Sequence, residues 1–405
     1  MNRIPAYLAR FISFFILILI TCCSRTEHGK YATLNFSPVG KNSSLPHLTT
    51  GPDSTVILSW IEQRDSTAVF YYATGNQQGW NKPVEIDSSS KWFINWADYP
   101  SVTIGANGNY AAHVLKYNGK GTFEYDVQMY TNTGQPWNKF LLNTDGIPAE
   151  HGFVSIVPYD SNFFVSWLDG RNAPSMGNND GHSGHHGSMS LRAAIISNSG
   201  ERIKEWEVDP RTCDCCQTTS VITAAGPVVF YRDRSESEVR DIAVSRLISG
   251  SFTEPKRIHE DNWMIHGCPV NGPRAVAFGE TVAVVWYSES DNAPAVYFSL
   301  SKDNGSTFDE PIRVDTGNPT GRADITGITE NEFMVSWMQV GKIMARVVNE
   351  SGIPGEPVII AEISEARSSG FPQITSTGDL IVFAWTDAAS GQIKTKALSR
   401  KDFKP

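Results

Sequence analysis

Phe164-Val165-Ser166-Trp167 is a short apolar strand that closes on a tryptophan, and it has companions along the whole chain. They are Ile57-Leu58-Ser59-Trp60, Val228-Val229-Phe230-Tyr231, Val284-Val285-Trp286, Met334-Val335-Ser336-Trp337 and Val382-Phe383-Ala384-Trp385, with a weaker copy at Ala111-Ala112-His113-Val114. Measured between last residues, the spacings are 54, 53, 64, 55, 51 and 48. Before each copy lie an apolar strand and a Gly/Asp/Asn turn; after it a second hairpin begins, as at Met189 to Ser197, Ile242 to Leu247, Ala295 to Ser301 and Lys342 to Val348. Four strands per unit and seven units are the signature of an all-β propeller of four-stranded blades. Seven blades are expected, with a six-bladed ring as the alternative. Tyr31 to Phe36 is a spare strand placed to complete the seventh blade and hide its edge. The repeated aromatics are expected to pack between blades.

Composition agrees. The chain has 405 residues, 33 Gly, 22 Pro, 11 Trp, 13 Tyr and 20 Phe, which suits many short strands joined by turns. The formal net charge of −9 argues against general nucleic-acid binding, which needs a cationic face. A monomer is expected. No P-loop, dinucleotide fingerprint, H-E-x-x-H or nucleophile elbow is present.

The first residues read as an address. Arg3 and Arg10 flank the apolar run Phe11 to Ile20, which is too short to span a bilayer as a helix. Leu19-Ile20-Thr21-Cys22 resembles a bacterial lipobox, with Cys22 as the expected lipidated residue and Cys23 as the alternative. Residues 1–21 are then a signal peptide, 22–30 a tether, 31–400 the propeller and 401–405 a loose tail. Loss of the signal takes the charge to −11. The expected location is the bacterial cell envelope, with the protein anchored to a membrane by lipid and its domain outside the cytoplasm. An ordinary secretion signal is the other reading.

Ser301-Lys302-Asp303-Asn304-Gly305-Ser306-Thr307-Phe308 resembles the Asp box of sialidase-like propellers, in which Ser301, Asp303, Gly305, Thr307 and Phe308 hold the motif positions. Asp caps its own turn, Gly permits positive φ, and the aromatic inserts between sheets. The wider chain is similar to bacterial exo-α-sialidase-like lipoproteins in Cys213-Asp214-Cys215-Cys216-Gln217-Thr218, Tyr231-Arg232-Asp233-Arg234-Ser235 and Cys268-Pro269-Val270-Asn271-Gly272-Pro273. The resemblance implies a glycoside hydrolase acting on sialic acid or other acidic glycans. Sialidases open with an Arg-Ile-Pro motif, whereas here the segment is Leu45-Pro46-His47-Leu48, so the arginine triad does not carry over.

Propeller topology gathers the starts of first strands and the ends of second strands on one face. That face collects His47, Asp98, Tyr99, His151, Cys213 to Cys216, His266, Cys268, Arg322 and Arg367 from the starts. From the ends it collects Arg64, Asp169, Arg171, Arg232, Asp233, Arg234, Tyr287 and Asp387. Three functional readings follow. For a glycosidase, Arg171, Arg232, Arg234, Arg322 and Arg367 are available to grip a carboxylate. Tyr231 or Tyr287 would be the nucleophile, Glu238 its partner, and Asp233 would handle the proton. Arg232-Asp233-Arg234 and Glu238-Val239-Arg240-Asp241 also read as a salt-bridge network. For a metal site, Cys213, Cys215, Cys216 and Cys268 with His47, His151 and His266 offer thiolate and imidazole ligands suited to copper or zinc. The loop Gly181 to Gly187 adds three histidines. Disulfides among the same cysteines are the alternative outside the cytoplasm. A non-catalytic propeller that binds a glycan or protein is the third reading.

Overall fold

The repeated tryptophans explain the fold from the inside. Trp60, Trp167, Trp286 and Trp337 are all essentially excluded from solvent. A buried indole N–H needs an acceptor. Trp60 donates to Glu62 (3.0 Å), Trp167 to Asp169 (2.9 Å) and Trp337 to Gln339 (2.9 Å), each two residues on, while Trp286 reaches Asp261 (2.8 Å). The repeats of Trp60, Trp167 and Trp337 therefore carry both the packing residue and the polar partner that lets it be buried.

The computed structural model describes residues 32–134, 136–173 and 188–404. They form seven antiparallel sheets, which settles the blade number at seven. Blade three shows the pattern: His151–Tyr159, Asn162–Asp169, Met189–Ile196 and Arg202–Thr212, paired in chain order. In blade four, Thr219–Thr223, Gly226–Arg232 and Ile242–Ile248 are followed by two short outer segments, Ser251–Phe252 and Lys256–Arg257. Blade five begins at Arg274–Phe278 and blade six at Pro319–Thr329. Innermost strands meet around the axis through small hydroxyl contacts, such as Thr326 Oγ1 to Ser376 Oγ at 3.0 Å and Thr50 Oγ1 to Thr375 Oγ1 at 2.7 Å. The Arg274–Asp324 pair (2.8 Å) adds an ionic contact between blades five and six.

The ring closes differently from expectation. Blade seven has three strands, Gln373–Thr377, Leu380–Asp387 and Gln392–Ser399. The N-terminal segment reaches its outer edge as a 3-10 turn, Ala32–Asn35, instead of a strand. Two bonds hold it: Thr395 Oγ1 donates to the Leu34 carbonyl (2.8 Å), and Ala397 N donates to Asn35 Oδ1 (2.8 Å). Leu34 is fully buried, so one leucine and one side-chain acceptor cover the edge in place of a ladder. Residues 400–403 pack against the ring as well. Arg400–Asp402 forms a 3-10 turn capped by Ser399, Arg400 pairs with Glu332, and Phe403 is buried against Phe383.

The 301–308 turn behaves as its residues require. Asp303 accepts from the backbone of Ser306 (3.0 Å) and Thr307 (2.9 Å) and from the Thr307 hydroxyl (2.7 Å). Burial raises its carboxyl but these donors dominate and bring it down to about 2. Gly305 sits at φ +75°, where a side chain would strain the backbone. Phe308 meets Phe230 of blade four edge to face at 5.8 Å. The turn follows a third strand, so it lies at the end of blade five opposite the strand starts that carry the cysteines.

Candidate functional site

The turn Cys213–Cys216 joins the outermost strand of blade three to the innermost strand of blade four. Its first residue is pinned by backbone, Cys213 N donating to the Arg232 carbonyl at 3.0 Å. Below it, Gln217 spans the gap to two other blades: its amide donates to the Ala97 carbonyl (2.6 Å) and its oxygen accepts from Gly272 N (3.0 Å). A Cβ on Gly272 would stand 2.2 Å from the Gln217 carbonyl oxygen, so only glycine lets the 268–273 loop lie against the cysteine turn.

The turn curls its thiols together. Cys213 Sγ lies 3.5 Å from Cys216 Sγ and 4.0 Å from Cys215 Sγ, and the three sulfurs are all within 4.8 Å of one another. Cys268, on the loop before blade five, interacts with the Cys215 thiol. No S–S bond joins any of them; all four are free thiols. Cys213 and Cys216 are buried, Cys215 is half-buried and Cys268 is exposed.

Charge reaches this cluster through a chain of ion pairs. Asp214 binds Arg234 (2.8 Å), Arg234 binds Glu238 (2.8 Å), Glu238 binds Arg240 (2.7 Å), and Arg240 Nη1 donates to Cys213 Sγ at 3.4 Å. Burial raises the Cys213 thiol, but hydrogen bonds from Cys215 and Cys216 and the Arg240 charge outweigh it and hold it well below the ordinary thiol range. Cys215 is pushed the other way, because its proton serves Cys213, Cys216 and Cys268. Cys216 is raised by burial and by its bond to Cys213. Glu238, despite burial, is brought down to about 2 by Arg234 and Arg240, so it is a fixed anion at neutral pH.

A cavity of about 350 Å³ opens beside the cluster. Its wall takes Asp214, Cys215, Arg234, Glu238 and Arg240 from blade four, His266 and Cys268 from the loop before blade five, and Glu150 and Phe123 from the second and third blades. Glu150 is raised to about 7, mainly by burial, although the Tyr125 hydroxyl (2.7 Å) opposes that shift.

Other expected residues fall elsewhere. Arg232 is buried and its donors are taken by the carbonyls of Asn271 (2.8 Å), Arg240 (2.6 Å) and Tyr287 (2.7 Å), with Trp263 stacked at 4.8 Å. It is a bolt between the two arms of the cysteine site rather than a substrate clamp. Arg322 is likewise buried, bonded to the Ala366 (3.2 Å) and Gly370 (2.8 Å) carbonyls and stacked on Trp96; burial brings it down to about 10. Arg367 is exposed beside the same Trp96. Arg171 grips Asp169 through two bonds of 2.7 Å. Tyr287 bonds Glu289 (3.2 Å), and burial raises its phenol, which disfavours a phenolate. Tyr231 is buried and bonded to Asp209, and burial raises it too. Asp233 is half-buried and raised by burial, with Arg257 at 4.0 Å. None of Arg171, Arg232, Asp233, Tyr287, Arg322 or Arg367 lines the cavity.

The histidines separate. His266 joins the cysteines, whereas His47 lies in a second cavity of about 180 Å³ among residues of the innermost strands, and is brought down to about 3 by burial and the nearby Arg274 charge. His151 sits with Asp145 and Asp169. Cys22, Cys23 and the loop Gly181 to Gly187 lie outside the described residues. Sequence reasoning missed the roles of Arg240 as thiolate partner and of Glu150 in the cavity wall. Glu150 stands one residue before the blade-three start at His151, which was the available signal.

No protein-family model matches this chain, and no curated protein matches it. Solved structures do resemble it in shape. A puromycin-hydrolyzing peptidase of Mycobacterium tuberculosis is 9% identical with a TM-score of 0.50, over 90% of this chain and 55% of that one. NanB, solved with Optactamide, is 10% identical with a TM-score of 0.44, over 92% and 70%. The Hadza microbial sialidase Hz136 is 11% identical with a TM-score of 0.43, over 73% and 63%. The chain spans less than two thirds of the length of Hz136 and of the peptidase. At such identities the likeness concerns the fold alone.

Proposed function

We propose that this chain is a metal-binding propeller whose Cys213, Cys215 and Cys216 thiols, with Cys268 from the neighbouring loop, hold one soft transition-metal ion, copper(I) or zinc. The supporting observation is the sulfur geometry. A tetrahedral zinc–thiolate centre with bonds of ~2.3 Å places its sulfurs ~3.8 Å apart. The two separations from Cys213, 3.5 and 4.0 Å, bracket that value, and all three sulfurs lie within 4.8 Å of one another. All-sulfur donors favour copper(I) and zinc over harder ions. Arg240 plays the supporting part that hydrogen bonds to a ligand atom usually play around metals, lowering the cost of a buried thiolate. His266 and the cavity give the ion an approach from solvent.

The test is elemental analysis of the purified chain and of a Cys215→Ser, Cys216→Ser variant. Copper or zinc that is present in the parent and lost from a folded variant supports the proposal. Metal retained in the variant refutes it.

A glycosidase acting on acidic glycans is the second reading, and Glu150 favours it. A carboxyl held at about 7 on a cavity wall that also carries the ionised Glu238 is suited to general acid work. Against it, Arg234 is the one guanidinium of the five expected clamps that reaches the cavity, and it is already paired on both sides. Hydrolysis of a sialoside that is lost in Glu150→Gln, with metal content unchanged, would favour this reading over the first. Lipidation at Cys22 and residence in the cell envelope are part of the same proposal, and a Cys22→Ala chain that still carried lipid would exclude that anchor.

A further inference from the structure

We propose that His151, Asp145 and Asp169 form a second cation site, separate from the thiol cluster, which takes a divalent metal ion of zinc-like hardness between blades two and three. His151 begins the first strand of blade three and has no solvent exposure. Its Nδ1 lies 3.0 Å from the Tyr125 carbonyl and 3.1 Å from the Ala149 carbonyl. Both are acceptors, so their positions assign the ring proton to Nδ1. In the neutral ring Nε2 is then a bare lone pair. It makes no hydrogen bond, and it points at Asp145 Oδ2 (3.3 Å) and Asp169 Oδ1 (3.6 Å). A buried lone pair aimed at two carboxylate oxygens calls for a positive centre between them, a proton or a metal ion; Asp169 Oδ1 also accepts from Arg171 Nε at 2.7 Å.

The dimensions fit a metal. Bonds of ~2.05 Å to nitrogen and ~2.1 Å to oxygen at tetrahedral angles put the nitrogen ~3.4 Å from each oxygen. The two separations here lie on either side of that figure. A histidine that donates its other N–H to backbone carbonyls is also the usual way a metal-bound imidazole is oriented. The carboxylates are positioned from behind. Trp167 Nε1 donates to Asp169 Oδ2 (2.9 Å), and Ile147 N donates to Asp145 Oδ1 (2.9 Å).

Charge points the same way. Asp126 (3.8 Å from His151 Nδ1), Asp145 and Asp169 face the imidazole, while among the described residues Arg171 is the one Lys or Arg that pairs with these carboxylates, at 2.7 Å from Asp169 and 3.5 Å from Asp145. The nearby Glu205 already has Arg192 and Arg202. Three carboxylates against one guanidinium leave two negative charges, which a divalent ion neutralises and a single added proton does not. Neither the thiols nor their arginines take part, so this site stands or falls independently of the thiol centre.

The experiment is zinc titration of the metal-stripped full chain, followed by calorimetry and elemental analysis, with cobalt(II) as a spectroscopic substitute. Cobalt at thiolates gives intense near-ultraviolet charge transfer; cobalt at one nitrogen and two oxygens gives weak visible bands only. Asp145→Asn is expected to bind one zinc fewer per chain while keeping the charge-transfer band. Cys215→Ser, Cys216→Ser is expected to lose that band and keep the weak one. An Asp145→Asn chain that unfolds cooperatively like the parent and binds as much zinc overturns the proposal. If that variant fails to fold, nitrogen-15 spectra of the parent with and without zinc decide. A zinc-dependent shift of His151 Nε2 away from its metal-free position supports the site, and an Nε2 signal unchanged by saturating zinc overturns it.

Discussion

At the scale of single residues, the site is governed by which groups have hydrogen-bond capacity left over. Arg232 has little: the Asn271, Arg240 and Tyr287 carbonyls take hydrogen bonds from all three of its nitrogens. Arg232→Ala would leave buried carbonyls unpaired and unlatch the Cys268 loop from blade four. It is expected to cost about 3 kcal/mol or more in urea unfolding, since each orphaned group costs about 1–3 kcal/mol. Arg240 differs, because one of its nitrogens reaches Cys213 Sγ. Arg240→Gln is expected to weaken zinc binding by about tenfold or more, as lost outer-shell partners usually do, measured by competition with a chelating dye. The thiols themselves make a proton prediction. Cys213 is held low and Cys215 and Cys216 high, so zinc binding near neutral pH should expel protons from Cys215 and Cys216. Calorimetry in two buffers of different ionisation enthalpy should read net proton release, and zinc affinity should rise with pH. Residue type alone reveals charge but not whether that charge is already engaged. That is why Arg171, Arg232 and Arg322 read as clamps in the sequence and prove to be internal ties.

At the scale of elements, the loop before blade five and the cysteine turn before blade four form one unit. Gly272 is the contact that makes them one, with Gln217 as its neighbour. Gly272→Ala must push the loop off the turn, so it is expected to lower metal affinity through Cys268 and to lower the melting temperature. A variant with unchanged metal binding would show that Cys268 is not a ligand. The blade pattern was legible in the sequence because strand, turn and tryptophan recur locally, and Trp60, Trp167 and Trp337 each bring an acceptor two residues on. The face shared by strand starts was legible for Cys213 to Cys216, His266 and Cys268. It was not legible for Arg240, whose contact with Cys213 crosses from one side of the blade-four hairpin to the other, 27 positions away. Nor was the 3-10 closure at Ala32–Asn35, because an alternating apolar segment at a sheet edge satisfies either geometry.

At the scale of the whole molecule, the ring buries polar groups as well as apolar ones, and that sets its response to acid. His47 and His113 are both held at about 3 by burial, against 6.5 for an exposed ring. Between those values the unfolded chain takes up protons that the folded chain refuses. Stability therefore falls as pH drops from 6.5 towards 3, by about 1.4 kcal/mol per pH unit for each histidine. Above 6.5 this contribution is flat. Asp98 and Glu150, raised by burial, act in the opposite sense, losing their contribution as pH rises. The comparison that isolates the histidine effect is His113→Gln against the parent, and its denaturant midpoint should fall less steeply over that window.

The propeller fold is shared with proteins of different activities, so the thiol cluster, rather than the ring, carries the functional claim. The most direct measurement is metal and thiol content of the purified chain, prepared without chelators or a histidine tag. The account predicts copper or zinc in the parent, at least one ion per chain, lost in a folded Cys215→Ser, Cys216→Ser variant while the remaining thiols stay reduced. A parent without metal, with Cys213, Cys215, Cys216 and Cys268 paired as disulfides, would contradict it and make the turn a covalent staple.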